Sequence, residues 1–254
     1  MVNPLDSFRL DDKVVLITGA SSGLGAGFAR AVSAVGATMV LAARRVDRLE
    51  ELAEELRAQG TSVLVHTVDV SSHAECQSLV QDATELFGRV DVLINNAGVG
   101  DALPASRETP EGFSHVIDVN LNGTFWMAQA CAAVMPRGSA IVNIASMYGV
   151  VASRMPQASY SASKAGVIGL TKDLAQQWSS RKGIRVNALA PGYFKTEMTN
   201  SGAEALQAIA AEHTLLGRFG EQAELDSALL FLASPASSYV TGSTLIVDGG
   251  MTAI

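Results

Sequence analysis

The chain has 254 residues, of which 48% are hydrophobic and 17% charged, and it carries a formal net charge of −7. That composition supports a large buried core and excludes a disordered polymer, while the acidic balance argues against nucleic acid or an anionic membrane as the main partner. Two cysteines, Cys76 and Cys131, and four scattered histidines make neither a disulfide framework nor a metal spacing, so no metal is expected and a reducing cytoplasm fits best.

Residues 1–12 are polar and mixed in charge, unlike a signal peptide. Residues 14–17, Val-Val-Leu-Ile, read as a strand buried on both faces. A Gly-rich turn follows, then helical spacing of Phe28, Val32 and Val35 up to Gly36. Residues 38–42 read as a second strand. Asp47 reads as the N-cap of a helix with Leu49, Leu52 and Leu56 on one face. A third strand over 62–65 leads to a helix over 73–87, closed by Gly88. Residues 92–94 form a fourth strand, and 111–134 a long helix broken by Pro136-Arg137-Gly138. A fifth strand over 140–144 precedes a helix over 159–180. The sixth strand, 184–189, ends at Pro191-Gly192. Two weaker helices, near 204–211 and 222–233, come before a last strand at 244–247.

No apolar run is long enough to span a bilayer. No linker or composition break divides the chain, so 1–254 is one domain, with a poorly patterned stretch at about 193–217 expected to act as a substrate lid. Strands alternating with helices imply right-handed βαβ units. The expected class is α/β: a doubly wound parallel sheet of about seven strands with helices on both faces. Ligands of such sheets bind beyond the carboxyl ends of the strands, where every motif below falls.

Thr18-Gly19-Ala20-Ser21-Ser22-Gly23-Leu24-Gly25 joins the first strand to the first helix. Glycines there let a phosphate approach the backbone, and the helix N-terminus offers free N–H groups and a positive dipole end. Gly19, Ser21, Ser22, Gly23, Leu24 and Gly25 are therefore the candidate pyrophosphate contacts. The second strand ends Ala43-Arg44-Arg45, where a fold selective for NAD usually places an acid. Guanidinium groups suit a 2′-phosphate, so Arg44 and Arg45 favour NADP(H), with NAD(H) as the alternative.

Tyr160 and Lys164 are four apart and share a helix face. A cation beside a phenol favours the phenolate and would lower the Tyr160 pKa towards a range useful for acid–base work.

Thr18-Gly19-x-x-x-Gly23-x-Gly25, Asn95-Asn96-Ala97-Gly98, Ser146, Tyr160-x-x-x-Lys164 and Pro191-Gly192 occur in this order and spacing. Together they resemble the short-chain dehydrogenase/reductase family in its form of about 250 residues, over essentially the whole chain. The resemblance implies a Rossmann-type fold and an NAD(P)-dependent oxidoreductase acting on carbonyl or secondary-alcohol groups. It further implies that Tyr160 is the general acid/base and that Lys164 tunes it and holds the nicotinamide ribose. Ser146 would orient the substrate oxygen, and Asn120 would support a water leading from the lysine. Asp69-Val70 would lie beside the adenine, Asn96, Ala97 and Gly98 along the cofactor, Pro191-Gly192 at the nicotinamide, and Thr196 near its carboxamide. The gap from Ser146 to Tyr160 is fourteen residues, one longer than in many relatives.

Met147, Val150, Val151, Gln157, Tyr193, Phe194 and Met198 follow Ser146 or Pro191-Gly192 and are candidate walls of a mostly apolar substrate pocket. Three substrate readings compete: a small carbonyl or alcohol, a 3-oxoacyl thioester on an acyl carrier, and a sugar acid of the gluconate type. A non-catalytic cofactor-binding scaffold is the reading from another class. Ala128, Ala130, Ala132, Ala133, Ala165, Gly166 and Gly169 give two helices small faces suited to close packing. With the resemblance, these point to a homotetramer, a dimer being the alternative.

Overall fold

The computed structural model describes residues 3–100, 102–153, 155–195 and 212–253. Seven strands, β1 (Val14–Thr18), β2 (Thr38–Ala43), β3 (Val63–Thr67), β4 (Val92–Asn95), β5 (Ala140–Ile144), β6 (Arg185–Pro191) and β7 (Thr244–Val247), form one parallel sheet in the order β3-β2-β1-β4-β5-β6-β7. The helices are α1 (Gly23–Ala34), α2 (Val46–Ala58), α3 (His73–Phe87), α4 (Pro110–Ile117), α5 (Gly123–Val134), α6 (Ala158–Lys182) and α7 (Gln222–Ala233).

Successive side chains of a strand point to opposite faces, and β1 shows the consequence. Val15 and Ile17 join the core under α1, α2 and α7, with Phe28, Leu49, Leu56 and Leu229. Val14 and Leu16 join the core under α3, α5 and α6, with Leu79, Met127, Cys131 and Leu174. All five β1 residues are buried, which is why the strand reads as an unbroken apolar run rather than an alternating one.

The chain leaves β1 for β2 on one side and, after β3, returns to place β4 on the other. This reversal opens a crevice between the carboxyl ends of β1 and β4. The two turns that edge it are stitched together. Thr18 Oγ1 accepts the N–H groups of Asn96 and Ala97, and Asn96 Nδ2 donates to the carbonyls of Thr18 and Gly19, all at 3.1 Å.

Three local expectations need correction. Asp47 is not an N-cap: α2 starts at Val46, so the carboxylate lies in the first turn, where it complements the helix dipole. The long helix of 111–134 is interrupted by a π-helical turn, Asp118–Asn122, and Thr124 Oγ1 of α5 donates to the Asn120 carbonyl of that turn at 2.7 Å. Periodicity alone does not reveal such a one-residue widening. Strand β6 runs on to Pro191, and the ladder is continued by Gly192 N–H to the Val247 carbonyl at 2.8 Å. The helix expected at 204–211 and most of the lid at 193–217 lie outside the described residues.

Candidate active site

Beyond the carboxyl ends of the strands lies a cleft of about 560 Å³. Its cofactor-sized end is lined by Gly19, Ser21, Ser22, Gly23, Leu24, Arg44, Arg45, Asp69, Val70, Asn96, Ala97 and Gly98. Its other end is lined by Ser146, Met147, Gln157, Tyr160, Lys164, Pro191, Gly192, Tyr193 and Phe194. Among the described residues no group of three His, Cys, Asp or Glu side chains could hold a metal ion.

At the first end, Gly19 adopts φ +66°, and a Cβ there would lie 2.8 Å from the Ala97 Cα. A side chain would thus have to displace the opposing turn. Ser22 stands at the N-cap of α1 but makes no side-chain cap. Its hydroxyl, like that of Ser21, instead accepts from the Arg45 guanidinium. The first-turn amides of α1 are left for an anion in the cleft, and the arginine and two hydroxyls sit beside them. These residues fit a dinucleotide phosphate.

Gly25 is placed differently from the expectation. It does not line the cleft; a Cβ on it would lie 2.3 Å from the Gly19 carbonyl oxygen and 2.5 Å from Asn96 Nδ2. Its smallness lets α1 pack against the turn. Asp69 Oδ1 accepts the N–H and hydroxyl of Ser71 at 3.0 and 2.7 Å, closing the entry to α3. Those hydrogen bonds, with the Arg44 charge adding to them, hold its carboxyl below the usual range. Helix entry and cleft lining coexist in this residue.

At the second end, β5 delivers Ser146, which starts a single 3-10 turn, Met147–Gly149, and accepts Tyr148 N–H at 3.2 Å. Its hydroxyl is also a hydrogen-bonding neighbour that favours the ionised form of the Tyr160 phenol. Gly149 lets this turn lie against α6: a Cβ on it would be 2.7 Å from the Lys164 carbonyl. Lys164 is 5% exposed and donates to the Ile144 carbonyl at 2.7 Å, with its Nζ 5.7 Å from the centre of the Tyr160 ring.

The expected lowering of the Tyr160 pKa is not what this geometry gives. Burial pushes the phenol up, the Ser146 hydrogen bond opposes it, and the nearby Tyr148 phenol adds to the rise. Burial likewise lowers Lys164, to about 8. The desolvation that both groups share outweighs their attraction.

Asn120 is fully buried and does not line the cleft. Its Oδ1 accepts Val99 N–H, and its Nδ2 donates to the Val99 carbonyl and to Ser163 Oγ, at 2.8, 2.8 and 3.0 Å. It ties the segment after β4 to α6, one residue before Lys164. Val151 also stays out of the cleft, packing instead against Met147, Tyr148 and Met251, and Val150 is largely exposed. Thr196 and Met198 lie outside the described residues.

Tyr148, Met155 and Ala102 line the substrate end although the sequence did not single them out. Tyr148 lies two residues past Ser146, so scanning that window for polar as well as apolar side chains would have found it. Its partner, Tyr193, is 45 residues further on; its place after Pro191-Gly192 marks it as a wall residue, but no local pattern links it to Tyr148.

A family model described as Enoyl-(Acyl carrier protein) reductase matches residues 19–252. The chain is 42% identical over 251 residues to galactitol 2-dehydrogenase (L-tagatose-forming) of Cereibacter sphaeroides, covering 96% of this chain and 97% of that protein. It is 38% identical to the 3-oxoacyl-[acyl-carrier-protein] reductase of Thermotoga maritima, covering 96% and 99%. Among solved structures, it is similar to a short-chain type dehydrogenase/reductase from Mycobacterium marinum, with TM-score 0.95, 36% identity and 99% and 100% coverage. It is also similar to a gluconate 5-dehydrogenase from Burkholderia cenocepacia in complex with NADP and tartrate, with TM-score 0.93, 37% identity and 99% and 100% coverage.

Proposed function

Since this chain belongs to the short-chain dehydrogenase/reductase family, we propose that Ser146, Tyr160 and Lys164 interconvert a small carbonyl compound and its secondary alcohol, with NADP(H) preferred. The protein is an NAD(P)-dependent oxidoreductase acting on CH–OH/C=O groups. The observation that carries the residue roles is the convergence of these three side chains at one end of a cleft whose other end suits a phosphate. A bound nicotinamide would supply or accept the hydride.

In reduction, Ser146 holds the substrate oxygen and Tyr160 gives it the phenolic proton. Burial keeps Tyr160 protonated near neutrality, the form this step needs. The Lys164 ammonium, close by on the next turn, stabilises the phenolate that results. Asn120 is a positioning residue, since its amide is already committed to Val99 and Ser163. A water on the Asn120 side of Lys164 would be held by its main-chain carbonyl, which keeps a second lone pair beside the Thr124 hydroxyl bond. Asp69, Val70, Asn96, Ala97, Gly98, Pro191 and Gly192 hold the cofactor, with Thr196 assigned there from the motif order alone. Arg45, with Ser21 and Ser22, and Arg44 beside them receive the 2′-phosphate.

The acyl-carrier reading is supported by relatives named 3-oxoacyl reductases. Against it, an acidic carrier would meet a chain of net charge −7, and Lys182, one of two basic residues in the last turn of α6, donates to the Ala132 carbonyl at 2.7 Å. The buried free cysteines fit a reducing compartment, and we place the protein in the cytoplasm.

A panel of ketoses, plain ketones, sugar acids and 3-oxoacyl thioesters with each cofactor tests the reading. Turnover of at least one carbonyl class is expected, with a lower Michaelis constant for NADP(H) than for NAD(H). Tyr160→Phe is expected to cost about a thousandfold in kcat, as befits a general acid, with the cofactor affinity nearly unchanged. More than a tenth of normal activity in that variant would refute the assigned role.

A further inference from the structure

Besides Tyr160, the substrate end of the cleft contains a pair of phenols that proton transfer does not require. Tyr148 is 7% exposed, and its hydroxyl shares a hydrogen bond with that of Tyr193 at 2.5 Å. The two rings meet edge to face at 6.1 Å, and Tyr193 stacks on Phe219 at 5.7 Å. Met147, Tyr148 and Met251 form a small core against which Tyr160 and Tyr193 pack. Met251 belongs to a C-terminal turn fixed by the Asp248 carboxylate, which accepts the N–H groups of Gly250 and Thr252 at 2.9 and 2.8 Å. The phenol pair is therefore held by packing on several sides before any substrate arrives.

Position matters as much as rigidity. Tyr148 lines the cleft together with Ser146 and Tyr160, and Tyr160 packs on the small core to which Tyr148 belongs, which sets the Tyr148 phenol beside the reacting groups. Whichever phenol supplies the bridging proton, Tyr148 retains a lone pair or a proton for a ligand. Gln157 lines the same end and gives one amide hydrogen to Ser153 Oγ at 2.7 Å, which orients its side chain. An alkyl chain beside these groups would desolvate their remaining hydrogen-bonding positions without satisfying them. A carbon chain bearing a hydroxyl next to the reacting carbon would satisfy them.

We infer that Tyr148, braced by Tyr193 and assisted by Gln157, reads a hydroxyl on the carbon adjacent to the reacting one. The enzyme thereby selects polyols and ketoses over plain ketones and acyl thioesters. Of the walls expected for a mostly apolar pocket, Met147, Gln157, Tyr193 and Phe194 line the cleft, whereas Val150 and Val151 do not. The inference rests on the oxidoreductase reading above and specifies its substrate class.

The test compares kcat/KM for erythrulose and for butanone, which share a four-carbon skeleton and differ in hydroxyl groups. The wild type is expected to favour erythrulose by about a hundredfold or more, since a site built to bond a hydroxyl rejects the analogue lacking it. Tyr148→Phe is expected to shrink that preference about tenfold, as for the loss of one hydrogen bond, with the fold checked by thermal melting. Tyr193→Phe, which removes the brace, should shrink it in the same direction. Butanone used as well as erythrulose, or a preference untouched in both variants, overturns the inference and leaves the oxidoreductase reading standing. Turnover confined to thioesters or apolar ketones in the wider panel does the same. Inactivity across the whole panel overturns the oxidoreductase reading and this inference with it.

Discussion

Lys164, to which we assign a part in the chemistry, weakens the fold that carries it. It is buried, its ammonium is bonded to one carbonyl, and its pKa is depressed from 10.5 to about 8. The unfolded chain therefore binds the proton more tightly than the folded one. The resulting penalty, on the order of 3 kcal/mol, is fully present below pH 8 and is relieved as pH rises towards 10.5. Lys164→Met is expected to abolish turnover yet raise stability by roughly 1–3 kcal/mol at pH 7, the gain shrinking to nothing near pH 10.5. Urea melts of both proteins across that range check this; a variant less stable at pH 7 would overturn the argument. Tyr160 is shifted the other way, upward, so it stays protonated near neutrality. Carbonyl reduction should accordingly be fastest near or below neutral pH and alcohol oxidation should climb into the alkaline range, as paired pH–rate profiles would show.

Among the elements, the first turn and helix illustrate how a motif residue can act without touching a ligand. Gly25 lies outside the cleft, but a Cβ on it would overlap the Gly19 carbonyl and the Asn96 amide. Gly25→Ala is expected to push α1 off the turn, cost about 1–3 kcal/mol as overpacked sites do, and weaken cofactor binding at least tenfold. Fluorescence titration with reduced cofactor measures it, and unchanged affinity would show that the turn absorbs the methyl. The strands and most helices were legible because their apolar spacing follows from which faces are buried. The π-helical turn at Asp118–Asn122 was not, since it inserts no breaker residue and depends on Asn120 bridging to Val99 and Ser163. The start of α2 was misplaced because Asp47 serves equally well as a cap or as a first-turn charge.

For the molecule as a whole, the outer surface bears on assembly. Ala133, Val134, Ala165 and Gly169 are exposed, and a Cβ added to Gly169 meets nothing within 4 Å. Phe113 is 39% exposed on α4. Small and apolar groups on the outer sides of α4, α5 and α6 allow another helix to approach closely, and we propose that they pack between subunits of a homotetramer. Light scattering should give about 106 kDa, four times the 26.5 kDa chain. Ala165→Glu together with Gly169→Glu should reduce that mass while the circular dichroism spectrum persists; a wild-type monomer would refute the proposal.

The sequence by itself determined the parallel sheet, the crevice at its carboxyl edge and the ordered set of residues that fall there. These follow from local rules: buried strands must be apolar, a phosphate turn needs glycine, and a helix brings i and i+4 side by side. Only the tertiary structure decided how those groups behave together. Burial reversed the expected shift of Tyr160, packing removed Gly25 and Val151 from the cleft, and a hydrogen bond across 45 residues joined Tyr148 to Tyr193. Desolvation, close packing and long-range pairing depend on what surrounds a residue in space, and a local pattern along the chain does not specify it.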